Sequence, residues 1–489
     1  MNLNKIPKFF NLLVITLMVI PFFGNIPKKK SPNIIWILAE DIAPDLSCYG
    51  AKGVETPTLD QLAAEGILYK NAFCTAPVCS PSRSAIMTGM HQNAIGANQH
   101  RTANKKALPV SVKPITAYLR EQGYYTALGC GYSGKTDLNF LHQGLFDGKD
   151  WKDRKKGQPF FAQITLPNTH RSWGRDSLNP IDIHEVELPP YYPDIPTTRR
   201  DWANGLEEIQ IMDRLVAKIL ERLKKEGIED ETVIIFSGDN GRCHIRGKQF
   251  LYDPGLHVPL IIKWPGKVKG GAVDAGLYSL IDVSATILGI ASADIPDHMH
   301  GSNIFDDDFN GREYVFAARD KMDDTHDAMR AVRSKKFKYI LNLMPERPYL
   351  QYNRYKESQY PMMAIMNVMH LKGELNEVQR TFMANTKPVE ELYDLEKDPH
   401  EINNIAKDPQ YYDALKNMRQ ELANWRNSIN DKPVSQTFKT GGWPEVYPTR
   451  NLAEWQTYME KWERHLMEGG VSPRSELNKM KYEVRKPEE

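Results

Sequence analysis

A recurring pattern constrains what this chain can fold into: a short, mostly apolar run followed by polar, chemistry-bearing residues. Residues 34–39 (IIWILA) are apolar throughout, and Glu40-Asp41 follow directly. Residues 232–236 (TVIIF) lead into Ser237-Gly238-Asp239-Asn240-Gly241. Residues 160–166 (FFAQITL) lead to Asn168-Thr169-His170-Arg171, and residues 124–129 (YYTALG) to Lys135-Thr136-Asp137. Such runs read as strands buried on both faces, the mark of a parallel sheet.

Helical patterns lie between these runs. One opens at Thr56-Pro57-Thr58, with Leu59, Leu62 and Ala63 on a face and Gly66 near its end. Another covers about 202–226, striped by Ile209, Met212, Leu215, Ile219, Leu220 and Leu223, with Gly227 after it. Strands alternating with helices predict an α/β fold with a large, mostly parallel sheet sandwiched by helices. Ligands bind beyond the carboxyl ends of strands in such sheets. Glu40, Asp41, Asp239, Asn240, Lys135 and His170 can therefore converge on one site.

The pattern changes after about residue 320. Short runs at 331–333, 337–340 and 391–395 precede a helix striped by Tyr412, Leu415, Met418, Leu422 and Trp425. They predict a smaller C-terminal antiparallel sheet with a helix. The expected division is a leader over 1–24, a catalytic α/β domain over 31–325 and a C-terminal subdomain over 326–489, with a polar tail from about 466. A length of 489 residues suits one large domain and a smaller one.

Lys5 and Lys8 precede an apolar run over 9–20, and Pro21 and Gly24 follow it. This predicts an export signal and a periplasmic location. The run is short for a membrane span and Pro21 interrupts it, so no span is expected once the signal is removed. Basic and acidic residues balance, 63 against 62, which excludes the basic footprint of a nucleic-acid protein. The five cysteines, Cys48, Cys74, Cys79, Cys130 and Cys243, are sparse and odd in number, without paired C-x-x-C spacing. They form neither a disulfide framework nor a zinc site.

One of them stands in a distinctive context, Cys79-Ser80-Pro81-Ser82-Arg83, before the apolar Ala85-Ile86-Met87 and Gly89. Ser80 is suited to cap a helix and Pro81 to its first turn. Cys79 then stands at a helix N-terminus, where free N–H groups and the dipole favour negative charge. Arg83, four residues on, lies on the same side. This arrangement suits chemistry on an oxyanion such as sulfate or phosphate. A lone cysteine there would more simply be a buried structural residue, but other residues argue otherwise. Glu40, Asp41, Asp239 and Asn240 offer hard oxygen ligands that suit Ca²⁺ or Mg²⁺ rather than zinc or iron, although each pair alone also reads as a turn or cap. Arg83, Lys135 and Lys248 are candidates for an anion clamp. His170 and His244 are candidate proton donors to a leaving group, each equally readable as structural.

Together these motifs resemble the type I sulfatases, the formylglycine-dependent enzymes of the alkaline-phosphatase superfamily, over nearly the whole chain after the leader. Cys79-Ser80-Pro81-Ser82-Arg83 matches the C-x-P-x-R maturation signature, Glu40-Asp41 the first metal carboxylates and Asp239-Asn240-Gly241 the second. Residues 391–395 (ELYDL), with Asp398-Pro399 and Glu401, resemble the family's C-terminal segment. Among subgroups the chain is most similar to bacterial polysaccharide sulfatases related to heparan N-sulfatase.

The resemblance implies an alkaline-phosphatase-like sheet and oxidation of Cys79 by a separate maturase to formylglycine, whose hydrate is the nucleophile. It implies a bound calcium, with magnesium as the alternative, ligated by Glu40, Asp41, residue 79, Asp239 and Asn240. Arg83, Lys135 and Lys248 would hold the sulfate oxygens, and His170 or His244 would protonate the leaving group. The second hydroxyl of the hydrate lets sulfate leave by C–O cleavage, where a serine ester would need water to attack sulfur. The fixed cations would stabilise the transition-state charge.

Two positions depart from the family. Glu40 stands where an aspartate is usual, and Asp137 where a histidine usually follows the lysine, so Asp137 acts as base or as orienting acceptor. His100, Arg101, Arg171, Arg319 and Asp320 are loop candidates for substrate contact, each equally readable as a surface ion pair. A sulfated glycan is the expected substrate. Asp137 separates the chain from the N-sulfatases, which slightly favours an algal glycan such as ulvan or carrageenan over a glycosaminoglycan O- or N-sulfate. Rival classes are a formylglycine-dependent phosphonate or phosphodiester hydrolase and a non-catalytic glycan-binding protein with Cys79 unmodified.

Overall fold

Every residue of the run 33–39 is buried, and this run is an inner strand of the large sheet, β1 (Asn33–Ala39). The computed structural model describes residues 31–102, 104–323, 325–432 and 450–468. The expected export signal and the end of the tail lie outside them. Around β1 stand β2 (Ile67–Phe73), β3 (Tyr125–Leu128), β4 (Phe160–Leu166), β5 (Thr232–Gly238), β6 (His257–Lys263) and β7 (Ala272–Ser279), in the order β3-β4-β1-β5-β6-β2-β7. All neighbours run parallel except β6, which is antiparallel to β5 and β2. The α/β architecture expected from the sequence is the one observed.

Four strands match the apolar runs closely; β1, β4 and β5 are buried throughout, which leaves a largely apolar signature. β2, β6 and β7 carry no such mark. β2 is interrupted by Lys70-Asn71 at a register shift. β6 contains Pro259, which demotes a run to non-strand when read alone. β7 is an edge strand whose first half is largely exposed.

Helices α1 (Pro57–Glu65), α2 (Cys79–Thr88), α3 (Ile115–Glu121) and α4 (Pro196–Lys225) follow in the chain. α4 begins six residues earlier than its apolar stripe suggests, with Pro196 in its first turn. Its first turns bury polar groups: Arg200 is ion-paired with Glu207 inside the protein, so no apolar periodicity marks them. α2 is buried along its whole length and packs on the helix Leu280–Ile290, where Ser284 donates to the Ile86 carbonyl. No helix among the described residues is long and apolar enough to cross a membrane.

The second sheet is antiparallel, in the order β11-β10-β9-β8: β8 (Val315–Arg319), β9 (Met329–Arg333), β10 (Phe337–Asn342) and β11 (Glu390–Asp394). It begins at Val315, somewhat before the expected start of the subdomain. Ala318, Val332, Tyr339 and Leu392 form a small core with Leu415, Met418, Leu422 and Trp425 of the helix Tyr412–Ser428.

Trp36 is fully buried at the middle of β1, and its indole N–H donates to Ser237 Oγ of β5 at 2.9 Å. Trp36→Ala removes that bond and leaves a cavity beneath the site, at a cost of about 3–5 kcal/mol. A urea unfolding titration should show the corresponding drop in midpoint. An unchanged midpoint would show that the core collapses around the cavity.

Candidate active site

Parallel pairing in register sets the site. β1 pairs with β4 through Ala39 opposite Leu166, and with β5 through Ala39 opposite Gly238. The residues that follow each strand therefore leave the sheet at one level. The Glu40 N–H donates to the Leu166 carbonyl at 3.0 Å, the Asp239 N–H to the Ala39 carbonyl at 3.0 Å, and the Ile42 N–H to the Asn240 carbonyl at 2.9 Å. Asp41 turns through the left-handed region, φ +54°, which a short polar side chain tolerates. Gly241 permits a close approach: a Cβ there would lie 2.3 Å from the Pro254 carbonyl oxygen.

α2 delivers the cysteine to this level. The helix starts one residue before the expected cap: Val78 is the extended N-cap residue, with no side-chain bond, and Cys79 is the first helical residue. Ser80 is therefore not the cap. Its hydroxyl instead accepts from the Arg101 backbone N–H at 3.0 Å, tying down the loop after α2. Pro81 does fall within the first turn. Cys79 Sγ lies 3.5 Å from Asp41 Oδ1 and 3.5 Å from Lys248 Nζ. Arg83 donates through Nε to Asp239 Oδ2 at 2.8 Å and through Nη1 to Thr165 Oγ1 at 3.1 Å, and its Nη2 lies 4.0 Å from Glu40 Oε1.

Lys248 donates to Asp41 Oδ2 at 2.7 Å and Lys135 to Glu40 Oε2 at 2.7 Å. Glu40, Asp41, Cys79, Arg83, Lys135, Lys248, Asp239 and Asn240 thus meet as expected. The carboxylates fit a divalent cation. One ligand atom from each of Asp41, Cys79 and Asp239 lies within 4.8 Å of the others. The Asn240 amide donates to Asp41 Oδ1 at 2.8 Å, while its carbonyl oxygen Oδ1 is buried without a hydrogen-bond partner. Burial pushes Asp239 up despite Arg83, and the carboxylates of Asp41 and Glu40 reinforce the shift. A divalent ion among these oxygens would relieve that crowding. Burial works against the charge of Asp41 too, but Lys248 and then His170 outweigh it and hold the carboxyl low. Burial, with the carboxylates of Asp41 and Asp239, raises Cys79 well above its ordinary value against the pull of Lys248. As a plain thiol it is thus a poor nucleophile.

His170 Nδ1–H donates to the Arg171 carbonyl at 2.7 Å, so its Nε2 faces the site, 3.8 Å from Asp41 Oδ2. Burial and then Lys248 lower its pKa. Asp137 is a carboxylate held between Arg101, with contacts of 3.1 and 2.8 Å, and Lys135 at 3.4 Å. Burial opposes its charge, but the hydrogen bonds and charge of Arg101, and then Lys135, keep it far below the usual range, which favours an orienting acceptor over a base.

Four expected site residues are committed to partners inside the protein. His244 is fully buried, with Nε2 at 3.2 Å from Asp201 Oδ2, among the rings of Tyr192, Trp202 and Trp173. Arg171 is buried too: it clasps Asp201, with Nη2 to Oδ2 at 2.7 Å, and stacks on Trp173. Arg319 lies 3.7 Å from Asp327, and Asp320 is 3.1 Å from Arg330, both inside the protein. Internal hydrogen bonds and ion pairs, not open loop positions, account for these residues. His100 lies close to the site but is turned to Asp323 at 2.9 Å. Arg101 is half-exposed at the rim.

Two contacts were not read from the sequence. Thr165, the penultimate residue of β4, anchors Arg83. Tyr355 places its hydroxyl 3.4 Å from His170 Nε2 and its ring 5.4 Å from Lys248 Nζ. Thr165 carried a weak signal, its place at a strand end. Tyr355 carried none, since it comes from a helix, Arg354–Gln359, far along the chain.

Burial pushes His244 down to about 4 against the pull of Asp201, from an ordinary 6.5, and burial likewise pushes His257 down to about 4. Between those pH values the unfolded chain takes up protons that the folded protein does not. Stability is therefore full above pH 6.5 and is lost as pH falls toward 4. Urea titrations across this window should show the decline, and His244→Gln should make it shallower. An unchanged slope would mean that His244 titrates alike in both states.

Comparison with known proteins agrees with this geometry. The sulfatase family matches residues 32–147 and 143–293. The family described as N-sulphoglucosamine sulphohydrolase, C-terminal, matches residues 241–359. The chain is 33% identical over 459 residues to an ulvan-active sulfatase of Formosa agariphila, covering 82% of this chain and 76% of the relative. It is 26% identical over 477 residues to human N-sulphoglucosamine sulphohydrolase, covering 83% and 91%. A protein solved in complex with its substrate D-glucosamine-2-N,6-O-disulfate superposes with a TM-score of 0.60 at 17% identity, over 83% of this chain and all of that one, and shares the fold. By sequence and by the site its strands assemble, the chain belongs to the sulfatase family, hydrolases of sulfuric esters.

Proposed function

We propose that this is an exported, periplasmic sulfatase that removes sulfate from a sulfated polysaccharide or its oligosaccharides, with an algal glycan such as ulvan as its substrate. The observation that carries the reading is the burial of Cys79 at the first turn of α2, beside Asp41 and Lys248 and one helical turn from Arg83. A structural cysteine has no need of three cations and three carboxylates around it. The 33% identity to an ulvan-active sulfatase supports the algal substrate. The C-terminal match to N-sulphoglucosamine sulphohydrolase favours a glycosaminoglycan as the second reading.

In this reading Cys79 is converted by a maturase to formylglycine, whose hydrate supplies the nucleophilic oxygen and a second hydroxyl that a thiol lacks. Glu40, Asp41, Asp239 and Asn240 would hold a calcium ion, which would supply positive charge against the substrate's sulfate. The chain's own residues do the rest. Arg83 is locked by Asp239 and Thr165, so its guanidinium is preorganised toward the incoming anion. Lys135 and Lys248 are held by Glu40 and Asp41 and complete the clamp. His170 keeps Nε2 toward the site, in position to pass a proton to the departing oxygen once it has taken one up. Asp137 fixes Arg101 at the rim.

Inorganic sulfate release from ulvan, carrageenan and heparin oligosaccharides tests this, with protein co-produced with a maturase. Release from ulvan is the expected result. Release from heparin alone would establish the second reading, and none from any, with formylglycine present by mass spectrometry, would refute both. Cys79→Ala should abolish release while leaving the circular dichroism spectrum unchanged. Lys248→Ala should lower kcat by about 10²–10³. Dialysis against a chelator should remove activity and Ca²⁺ should restore it. Activity that survives complete chelation would exclude a catalytic metal at Asp41 and Asp239.

A further inference from the structure

Tyr355 reaches the site from the helix Arg354–Gln359, whose start is fixed by Asn353: its side chain accepts from the Lys356 N–H at 3.0 Å. Glu357 of the same helix pairs with Arg450 at 2.6 Å. From this tethered helix Tyr355 meets both a cation of the clamp and the candidate proton donor. Its ring lies 5.4 Å from Lys248 Nζ and its hydroxyl 3.4 Å from His170 Nε2, with the two ring centroids 5.7 Å apart.

One carbonyl decides where the hydrogens lie. The Arg171 carbonyl, 2.7 Å from His170 Nδ1, can only accept, so Nδ1 carries the proton of the neutral ring and Nε2 is a bare acceptor. The Tyr355 hydroxyl is therefore the donor in its contact with Nε2. Burial, and then Cys243 and Asp41, hold the phenol well above its ordinary pKa, so it keeps that proton. The phenol oxygen retains lone pairs for the Cys243 thiol, 3.4 Å away, which also meets the Tyr360 hydroxyl at 3.0 Å.

His170 thus has an anchor at each ring nitrogen. Held at Nδ1 alone, the ring could tilt about that one bond, and a displacement of about 1 Å near a reacting group can cost about 10²-fold in rate. Asp41 does not replace the second anchor. Its Oδ2 lies 3.8 Å from Nε2, beyond hydrogen-bond reach, and accepts from Lys248 instead.

We propose that Tyr355 is a positioning residue for the departure of the leaving group: its hydroxyl aims His170 Nε2, and its ring steadies Lys248 in the clamp. The hydroxyl turns about its C–O bond, so it gives up Nε2 when the departing oxygen arrives. Contact between the ring face and the ammonium holds the lysine without neutralising it. A sugar oxygen needs a proton as it departs, whereas a nitrophenolate does not, so Tyr355 favours glycan sulfates over aryl sulfates. The proposal rests on the reading of His170 as proton donor and adds the residue that orients it.

Steady-state kinetics of the matured full chain test this, on whichever of the ulvan, carrageenan and heparin oligosaccharides wild type desulfates. Tyr355→Phe keeps the ring and loses the hydroxyl. It should lower kcat at least about tenfold with little change in KM. His170→Ala should lower kcat at least as far, and Tyr355→Phe added to it should lower kcat no further. Tyr355→Leu, which also takes the ring from Lys248, should raise KM as well. The Tyr355→Phe loss should be smaller on 4-nitrophenyl sulfate, and an equal loss on both substrates would overturn the proposal. So would a Tyr355→Phe enzyme with the kcat of wild type, or a loss that persists undiminished in the His170→Ala background. A defect in His170→Ala alone would leave His170 as proton donor without Tyr355. A His170→Ala enzyme as fast as wild type would sink the reading of His170, and the proposal with it. No sulfate release by wild type bearing formylglycine would sink the sulfatase reading itself.

Discussion

The site depends on the in-register parallel pairing of β1 with β4 and β5. Ala39 lies level with Leu166 and Gly238, so three chain segments distant in sequence leave the sheet at one height. A slip of one residue in either pairing would turn alternate side chains to the opposite face. Asp41 and Asp239 would then no longer share a cation, and the Asp41 N–H would lose its 3.0 Å bond to Asp239 Oδ1. The apolar composition of these strands is thus a condition for the polar site above them.

Charge compensation is the second condition. Glu40, Asp41 and Asp239 are buried with Arg83 and Lys248, while Lys135 is partly exposed. Each carboxylate accepts from one of these cations, and removing one partner would leave a buried charge unpaired, which is strongly destabilising. The same pairing holds the cations at fixed positions before any anion arrives. Rigidity here follows from burial, because a solvated lysine would be free to swing away.

What was legible in the sequence follows the same physics. β1, β4 and β5 are buried on both faces, so their runs were mostly apolar, and the polar residues after them could be assigned to one site. Strands β2, β6 and β7 carry a bulge, a proline and an exposed edge, each of which erases that pattern. Ser80 looked like a cap, but the helix starts at Cys79 and the serine hydroxyl serves the Arg101 backbone instead. Arg171, His244, Arg319 and Asp320 share the residue types of a substrate site. Their acidic and basic partners at Asp201, Asp327 and Arg330 lie 8 to 43 positions away and become neighbours only when folded.

The sequence by itself determined the strands that carry the site, the helix that presents Cys79 and the set of hard oxygen ligands, because each is encoded in a few adjacent residues. Only the tertiary structure decided which charged residues face one another across the site and which neutralise each other inside. It also brought Tyr355 to His170 and to Lys248. A side chain's partner is set by distance in space. Distance along the chain does not report it once strands from opposite halves of the protein lie side by side.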